Sequence, residues 1–416
     1  IKAAKEMNWY PGYMLQRLID WTESMDWDWI ISRQRTFGTP IPFWICEKCS
    51  GVVAAKKEEL PVDPRGTTRK CGCGGKAIGE ESVCDCWVDA SMTPLKISKY
   101  GEKPKFYKKT YPTSMRPQGY DIIRTWAFYT LFRCAVMTGK APWKDIVIHG
   151  MVGGTDGRKM SKSFGNVVEP DEVLKKYGAD VVRQWCAGAS GADDCSLSWS
   201  EMEHSSRFLT KLWNISRFIS MHKPTEAKPR HTFADRWIKN ELNLLVKTAT
   251  YSLDRYNYSV IKEIRKFVWH VFADYYIEMV KYRLYGEDIS LKEGAVETCR
   301  HVLDTVLRLL APFVPFITEE INESLSGGGS IHLKKWPESG SFDKKLGEEG
   351  QMLCELLSKV RTFKMENRVG QGKEINHAVI HGDVEILEKI RKDLVGTARI
   401  RNVEFRQGGL SFGAKL

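Results

Sequence analysis

Gly157-Arg158-Lys159-Met160-Ser161-Lys162-Ser163-Phe164-Gly165-Asn166 is the stretch on which the reading of this 416-residue chain turns. Two lysines stand three residues apart, with Gly153, Gly154 and Gly157 before them and Gly165 after. Glycine frees the backbone to turn, and ammonium groups bind phosphate oxygens, so the stretch predicts a mobile cationic flap that closes on a polyphosphate. An isolated lysine pair is more often an exposed basic turn, so the surroundings have to decide.

On the amino-terminal side, strand-like runs at 83–88 and 146–149 alternate with a helical run at 121–138, which predicts a parallel α/β sheet. Residues 9–38, with Trp9, Tyr10, Trp21, Trp27 and Trp29, predict a helix that turns into Pro40 and Pro42. On the carboxyl-terminal side helical patterns dominate. Ile261, Ile264, Val268, Val271 and Tyr275 place one buried face on a helix over 259–285, and Pro312 and Pro315 should break the run 309–321. A Gly/Ser tract at 326–330 predicts a linker, and the tail beyond 347 predicts a small α/β appendage with strands at 378–381 and 403–406 around a helix at 384–393. There is no internal repeat.

Six of the 11 cysteines fall between Cys46 and Cys86, and an odd, clustered set suits a metal better than a secreted disulfide framework. Cys46 and Cys49, then Cys71 and Cys73, lie on short Gly-flanked turns, two thiol pairs as in a four-cysteine zinc ribbon. The second pair is Cys-x-Cys rather than Cys-x-x-Cys, so a metal-free knuckle with free thiols stays open. Cys84 and Cys86 alternate along the expected strand and read as buried small residues. With 42% hydrophobic and 28% charged residues the chain folds rather than staying disordered, and no run approaches the roughly 20 apolar residues of a membrane span. A cytoplasmic protein is expected. Lys plus Arg exceed Asp plus Glu by 63 to 52, a net +11 that suits a polyanion such as RNA.

Lys159-Met160-Ser161-Lys162-Ser163 is the full signature loop of the class I aminoacyl-tRNA synthetases, and its flanks resemble the valyl/isoleucyl/leucyl subgroup, most closely the archaeal valyl branch. Supporting blocks are Asp28-Trp29-Ile30-Ile31-Ser32-Arg33-Gln34-Arg35, Ile41-Pro42-Phe43-Trp44, Asp85-Cys86-Trp87-Val88-Asp89, Gly119-Tyr120-Asp121-Ile122-Ile123, Ile148-His149-Gly150 and Leu310-Ala311-Pro312-Phe313. Asp121-Ile122-Ile123 followed by Trp126 is similar to the valyl pattern, where isoleucyl enzymes read Asp-Gln-x-Arg-Gly-Trp.

The resemblance implies a multi-domain protein. Its parts would be a helical segment re-entering the catalytic domain (1–43), a zinc knuckle (44–80), the second half of a Rossmann-like catalytic domain with the signature loop (81–166), a connecting segment (167–200), an all-α anticodon-binding bundle (201–330) and the α/β tail (347–416). It implies catalytic roles for Lys159, Met160, Ser161, Lys162 and Ser163, and ATP contacts by Gly119, Asp121, His149, Gly150, Val152, Lys159 and Lys162. Trp87, Ile122 and Trp126 would wall the amino-acid pocket, and Cys46, Cys49, Cys71 and Cys73 would hold Zn²⁺. ATP, Mg²⁺, valine and the valine isoacceptors of tRNA are the implied cofactors and partners, with a monomer and no membrane. Lys211, Arg217, Lys239, Lys262, Arg265, Lys281 and Arg283 would meet RNA phosphates, as would Arg361, Lys364, Arg368, Lys373, Arg399, Arg401 and Arg406 of the tail.

One departure matters. The other class I signature, His-x-Gly-His, occurs at none of the nine histidines, and neither does the editing domain, so the chain is expected to be the carboxyl-terminal portion of a longer enzyme. As supplied, it is expected not to form aminoacyl adenylate. The competing readings are an isoleucine enzyme, a non-catalytic tRNA-binding module and a zinc protein with no tRNA role, the last of which would make the signature loop and every supporting block coincidental.

Overall fold

In the computed structural model, residues 1–189, 191–326 and 328–415 are described. Ser190, Gly327 and Leu416, which fall in the expected connecting segment, linker and tail, lie outside the described residues. The chain divides into two compact units, Ile1–Met151 with Gly191–Asp194, and Val152–Ser190 with Cys195–Leu416.

The first unit is built on a parallel three-stranded sheet in which Trp143–His149 lies between Asn8–Tyr10 and Thr113–Gly119. Its central strand buries Trp143, Ile146 and Ile148, as expected where helices cover a parallel sheet. The crossover from Gly119 to Trp143 is helical throughout but not uniform. A 3₁₀ turn Tyr120–Ile122 and a π-helix Ile123–Ala127 precede the α-helix Phe128–Thr138, which ends at Gly139 in the left-handed region (φ 70°). Ile123, Ala127 and Leu131 face the sheet, joined by Trp9, Met14 and Leu18.

Two sequence expectations change here. Helix in the region 9–38 is confined to Met14–Glu23, and Trp9 instead sits in a three-residue strand. The run 83–88 is strand only at Val83–Cys84; Asp85 then accepts a hydrogen bond from the Trp87 amide at 2.9 Å and caps a helix Cys86–Ala90. An aspartate that satisfies the first free amides favours helix over continued strand. Trp87 therefore lies on a helix, and Cys86 is exposed rather than buried.

The cysteine segment forms its own four-stranded antiparallel sheet in the order Val52–Ala54, Phe43–Cys46, Lys76–Gly79, Thr68–Lys70. Trp44 is buried, and the Arg69 guanidinium lies 3.6 Å from its ring centroid.

The second unit begins with the parallel pair Val152–Gly153 and Cys195–Ser196, then runs through helices Pro170–Tyr177 and Ala179–Gly188 into the bundle. Long helices Trp199–Ser220, Phe233–Leu253 and Ile289–Leu310 pack around one apolar core. The helix expected over 259–285 is present, but residues Phe267–Tyr276 are π-helical. The wider turn shifts the buried face by one residue, so Phe272 and Tyr276 are fully buried where Val271 and Tyr275 were expected to be. Pro315 opens a new helix, Pro315–Ser326, whose first amides at Phe316 and Ile317 are accepted by Asp180 at 3.3 and 2.8 Å. The tail follows the expected pattern with a third strand added: Ile375–Gly382, helix Val384–Ala398, Ile400–Gln407 and Ser411–Lys415. Among the described residues no helix is long and apolar enough to cross a membrane.

Candidate functional site

The signature loop is a latched hairpin of the second unit. Gly153 bridges Lys159, the Gly154 amide donates to the Arg158 carbonyl at 2.7 Å, and Gly157 takes the positive φ (76°) that the turn requires. Asn166 then ties the two ends. Its Nδ2 donates to Asp156 Oδ1 (3.2 Å) and to the Lys159 carbonyl (3.3 Å), while its Oδ1 accepts from the Ser161 amide (2.9 Å). Ser161 caps the short 3₁₀ turn Lys162–Phe164, and its hydroxyl lies 2.6 Å from that of Ser163. Met160 is half-buried against a small apolar cluster around Val173, Val181, Leu197 and Met202. Arg158 is paired with Asp156 at 2.8 Å, and its backbone amide, first, then its guanidinium hold that carboxyl below the usual range. Lys159 and Lys162 are exposed and, among the described residues, neither ammonium has a carboxylate within ion-pair distance. The loop thus spends its arginine on its own shape and leaves both lysines available for an anion. Val152 opens this unit's parallel pair.

In the first unit the sequence-predicted ATP contacts Gly119, Asp121, His149 and Gly150 converge at the carboxyl ends of two paired strands, Gly119 lying opposite His149. That is where open parallel sheets bind ligands. Space requires glycine at 150, where backbone closes in, whereas at 119 the near atom is the movable end of the exposed Asp121 side chain. A Cβ on Gly119 would stand 2.4 Å from Asp121 Oδ1, and one on Gly150 would stand 2.0 Å from the Asp193 carbonyl. The His149 ring nitrogen Nδ1 is 2.9 Å from the Gly150 carbonyl. Asp194 was not foreseen. It accepts from the Met151 amide (2.8 Å) and the Tyr120 hydroxyl (2.9 Å), tying the two strand ends together, and those donors hold its carboxyl low. Only the fold reveals it, because Gly191–Asp194 joins the first unit although Asp194 lies 43 residues beyond Met151.

Trp87, Ile122 and Trp126 are half-buried in the first unit. The Trp126 indole donates to the Ala90 carbonyl at 3.0 Å, which fixes it to the end of the helix that carries Trp87. Arg133 donates to the Val88 carbonyl and to the Ser91 hydroxyl on the same helix end. Arg116 lies over the Trp126 ring, and burial lowers its pKa to about 10. Arg33 pairs with the nearly buried Asp85, so the helix cap is also an ion pair.

The four cysteines form a cluster whose sulfurs all lie within 4.8 Å of one another. Cys46 Sγ is 3.6 Å from Cys73 Sγ, and Cys49 Sγ is 3.7 Å from Cys71 Sγ. Four sulfurs at ~2.3 Å from a tetrahedral ion would be about 3.8 Å apart, so the donor set fits a metal of zinc's preference. Gly75 gives the sulfurs room, since a Cβ there would stand 2.9 Å from Cys46 Sγ. The Cys49 amide draws the Cys46 thiol down to about 7, whereas Cys49, although the Gly51 amide lowers it, is pushed up to about 12 by the other three thiols. Four negative sulfurs cannot coexist there without a cation.

Several cations expected to meet RNA are committed inside the protein. Arg283 is buried and makes a bidentate pair with buried Asp235 at 2.6 and 2.8 Å, and Tyr276 donates to the same carboxylate. Lys364 is 1% exposed and donates to the carbonyls of Gln371, Lys373 and Ala398. Neither can reach a phosphate. Lys211, Lys239, Lys281, Arg401 and Arg406 pair with carboxylates, and Arg361 and Arg399 donate to carbonyls. Arg217, Lys262, Arg265, Arg368 and Lys373 remain without an ion pair among the described residues.

The family model for tRNA synthetases class I (I, L, M and V) matches residues 1–198, and that for the anticodon-binding domain of tRNA ligase matches residues 235–380. Valine–tRNA ligase of Pyrococcus abyssi is 46% identical over 98% of the chain and 48% of its own length; that of Methanocaldococcus jannaschii is 42% identical over 100% and 49%. The chain spans about half the length of the curated relatives it matches. Among solved structures, the ternary complex of Agrobacterium radiobacter LeuRS with tRNA and LeuAMS has a TM-score of 0.58 at 20% identity, over 96% of this chain and 54% of that one. Mycobacterium tuberculosis methionyl-tRNA synthetase with methionyl-adenylate has a TM-score of 0.59 at 18% identity, over 80% and 65%. These two likenesses concern the fold.

Proposed function

The chain belongs to the class I tRNA synthetases, with an anticodon-binding domain after the synthetase domain, and from this we propose that it is part of a valine–tRNA ligase. The observation that carries the reading is the pair of lysines, Lys159 and Lys162, without an ion-pair partner among the described residues, on a loop that Asn166 and Asp156 hold in shape. In the reaction, the valine carboxylate attacks the α-phosphorus of ATP and pyrophosphate leaves; the 2′-hydroxyl of the terminal adenosine of valine tRNA then takes the valyl group and AMP leaves. Charge develops on the departing phosphates, so two fixed ammonium groups lower the barrier most where they meet that charge. Gly119, Asp121, His149 and Gly150 would hold the nucleoside, Val152 would lie beside the adenine, and Trp87, Ile122 and Trp126 would wall the valine side chain. Mg²⁺ would supply counter-charge to the triphosphate. A cytoplasmic monomer is the corresponding setting.

Parallel binding titrations with valine tRNA, isoleucine tRNA and an anticodon-substituted valine tRNA test the reading. Valine tRNA is expected to bind tightest, with the preference lost on anticodon substitution. Equal and steeply salt-dependent binding of all three would leave phosphate attraction alone and remove the assignment. Without a His-x-Gly-His segment the 416-residue chain is expected to show no valine-dependent ATP–pyrophosphate exchange.

We also propose zinc at Cys46, Cys49, Cys71 and Cys73, where it would hold the four-stranded sheet together. One equivalent of zinc per chain is expected by metal analysis, and its removal should expose four titratable thiols. No rise in the number of reactive thiols on treatment with a chelator would exclude the site, because exposed Cys86 and Cys186 react in either case.

A further inference from the structure

In the second unit a groove of about 780 Å³ opens between helices Ala179–Gly188, Trp199–Ser220 and Ile261–Lys266. Three cations, Lys262, Arg265 and Lys266, enter it from a single helix against one carboxylate, Glu201. They stand at i, i+3 and i+4, which puts them on one side of the helix while Ile261 and Ile264 anchor the other in the core. Among the described residues none of the three has an ion-pair partner, in contrast to Lys211, whose Nζ is 2.6 Å from Asp274. Burial lowers the Arg265 pKa.

The walls are aromatic. Trp185 and Trp269 line the groove, and Trp269 is held by the Lys211 ammonium 4.5 Å from its ring centroid. Gln184 also lines the groove, 1% exposed, with neither its amide oxygen nor its amide nitrogen hydrogen-bonded among the described residues. The Ser205 hydroxyl beside it is likewise buried and unsatisfied. Buried polar groups are normally paired, and an unpaired one costs on the order of 1–3 kcal/mol, so a primary amide left open at both ends within an aromatic, cationic groove points to a ligand with a donor and an acceptor side by side. A nucleobase edge has that pattern, and a base also has a face to stack on an indole and a phosphate to meet the cations.

We propose that this groove takes one unstacked nucleotide of a bound tRNA, with its phosphate on Lys262, Arg265 and Lys266 and its base edge on Gln184. The inference rests on the tRNA-ligase reading and adds to it a site at which the RNA is read away from its backbone.

Two variants of the full chain test it against a valine tRNA transcript, with AMP, CMP, GMP and UMP as separate probes. Gln184→Leu removes both unpaired atoms at nearly constant volume, so it should melt no lower than the parent, yet bind the transcript roughly tenfold more weakly, the loss of a bidentate base contact. Lys262→Gln with Lys266→Gln, both exposed, should lower the slope of log affinity against log salt by up to about 1, the share of a single phosphate. If the parent binds tRNA and Gln184→Leu binds it equally well, the groove does not read a base and the inference alone fails. If the parent binds no tRNA, the ligase reading fails and takes the inference with it. Saturable binding of a mononucleotide as tight as that of the transcript would assign the groove to a free nucleotide and overturn the RNA source.

Discussion

Lys159 and Lys162 in the signature loop and Arg283 and Lys364 in the helical region carry the same charge in opposite surroundings. The loop lysines are exposed and have no ion-pair partner among the described residues, while the carboxamide of Asn166 and the carboxylate of Asp156 hold the loop's backbone and Arg158. Arg283 and Lys364 are nearly inaccessible; both terminal nitrogens of Arg283 are taken up by Asp235, and the Lys364 ammonium by three carbonyls. A basic residue in a chain of net charge +11 is therefore not by itself an RNA contact. What separates the two groups is whether the fold has already supplied an acceptor.

The largest effect should come from breaking the buried pair. Arg283→Met strands the Asp235 carboxylate, where burial opposes ionisation and Arg283, Tyr276 and the Thr232 amide hold the pKa down. A loss of ~3–5 kcal/mol is expected in chemical denaturation, because a buried charge left alone costs far more than a paired one contributes. Lys364→Met should cost less, ~2 kcal/mol, since it leaves neutral carbonyls rather than a charge without a partner. The smallest stability effect, below ~0.5 kcal/mol, is expected for Lys159→Ala and Lys162→Ala. Those two should instead weaken pyrophosphate binding in calorimetry roughly tenfold each, the loss of a charge-assisted hydrogen bond. If Arg283→Met proved stable but deficient in tRNA binding, or Lys159→Ala proved unstable, the division between structural and functional cations would be reversed.

The loop, the four cysteines and the break at Pro315 were legible because each depends on local chemistry: glycine placement, thiol spacing and a missing amide. The tail's strands and helix were legible from their alternation. The misreadings have nonlocal or subtle causes. Asp85 stops a strand by capping a helix, a signal present in the sequence but outweighed by the β-branched and apolar residues around it. The π-helix Phe267–Tyr276 shifts a helical face by one position with no marker in the residues. Arg283 is assigned to the core only by Asp235, 48 residues away, and Asp194 is joined to Tyr120 across 74. A partner that distant cannot be inferred from spacing.

Asp393, on the tail helix, accepts the Ala234 amide at 2.9 Å and the Tyr282 hydroxyl at 3.0 Å, and the apolar core runs without interruption from Phe208 to Ile400. The first turn of the bundle helix Phe233–Leu253 thus depends on a side chain supplied some 160 positions later. The matched anticodon-binding region stops at residue 380, inside the strand Ile375–Gly382 that is paired on both edges. Cutting there would open a sheet and uncap a helix in one stroke, so the bundle and its appendage should melt as one cooperative body and be inherited, trimmed or transplanted only together.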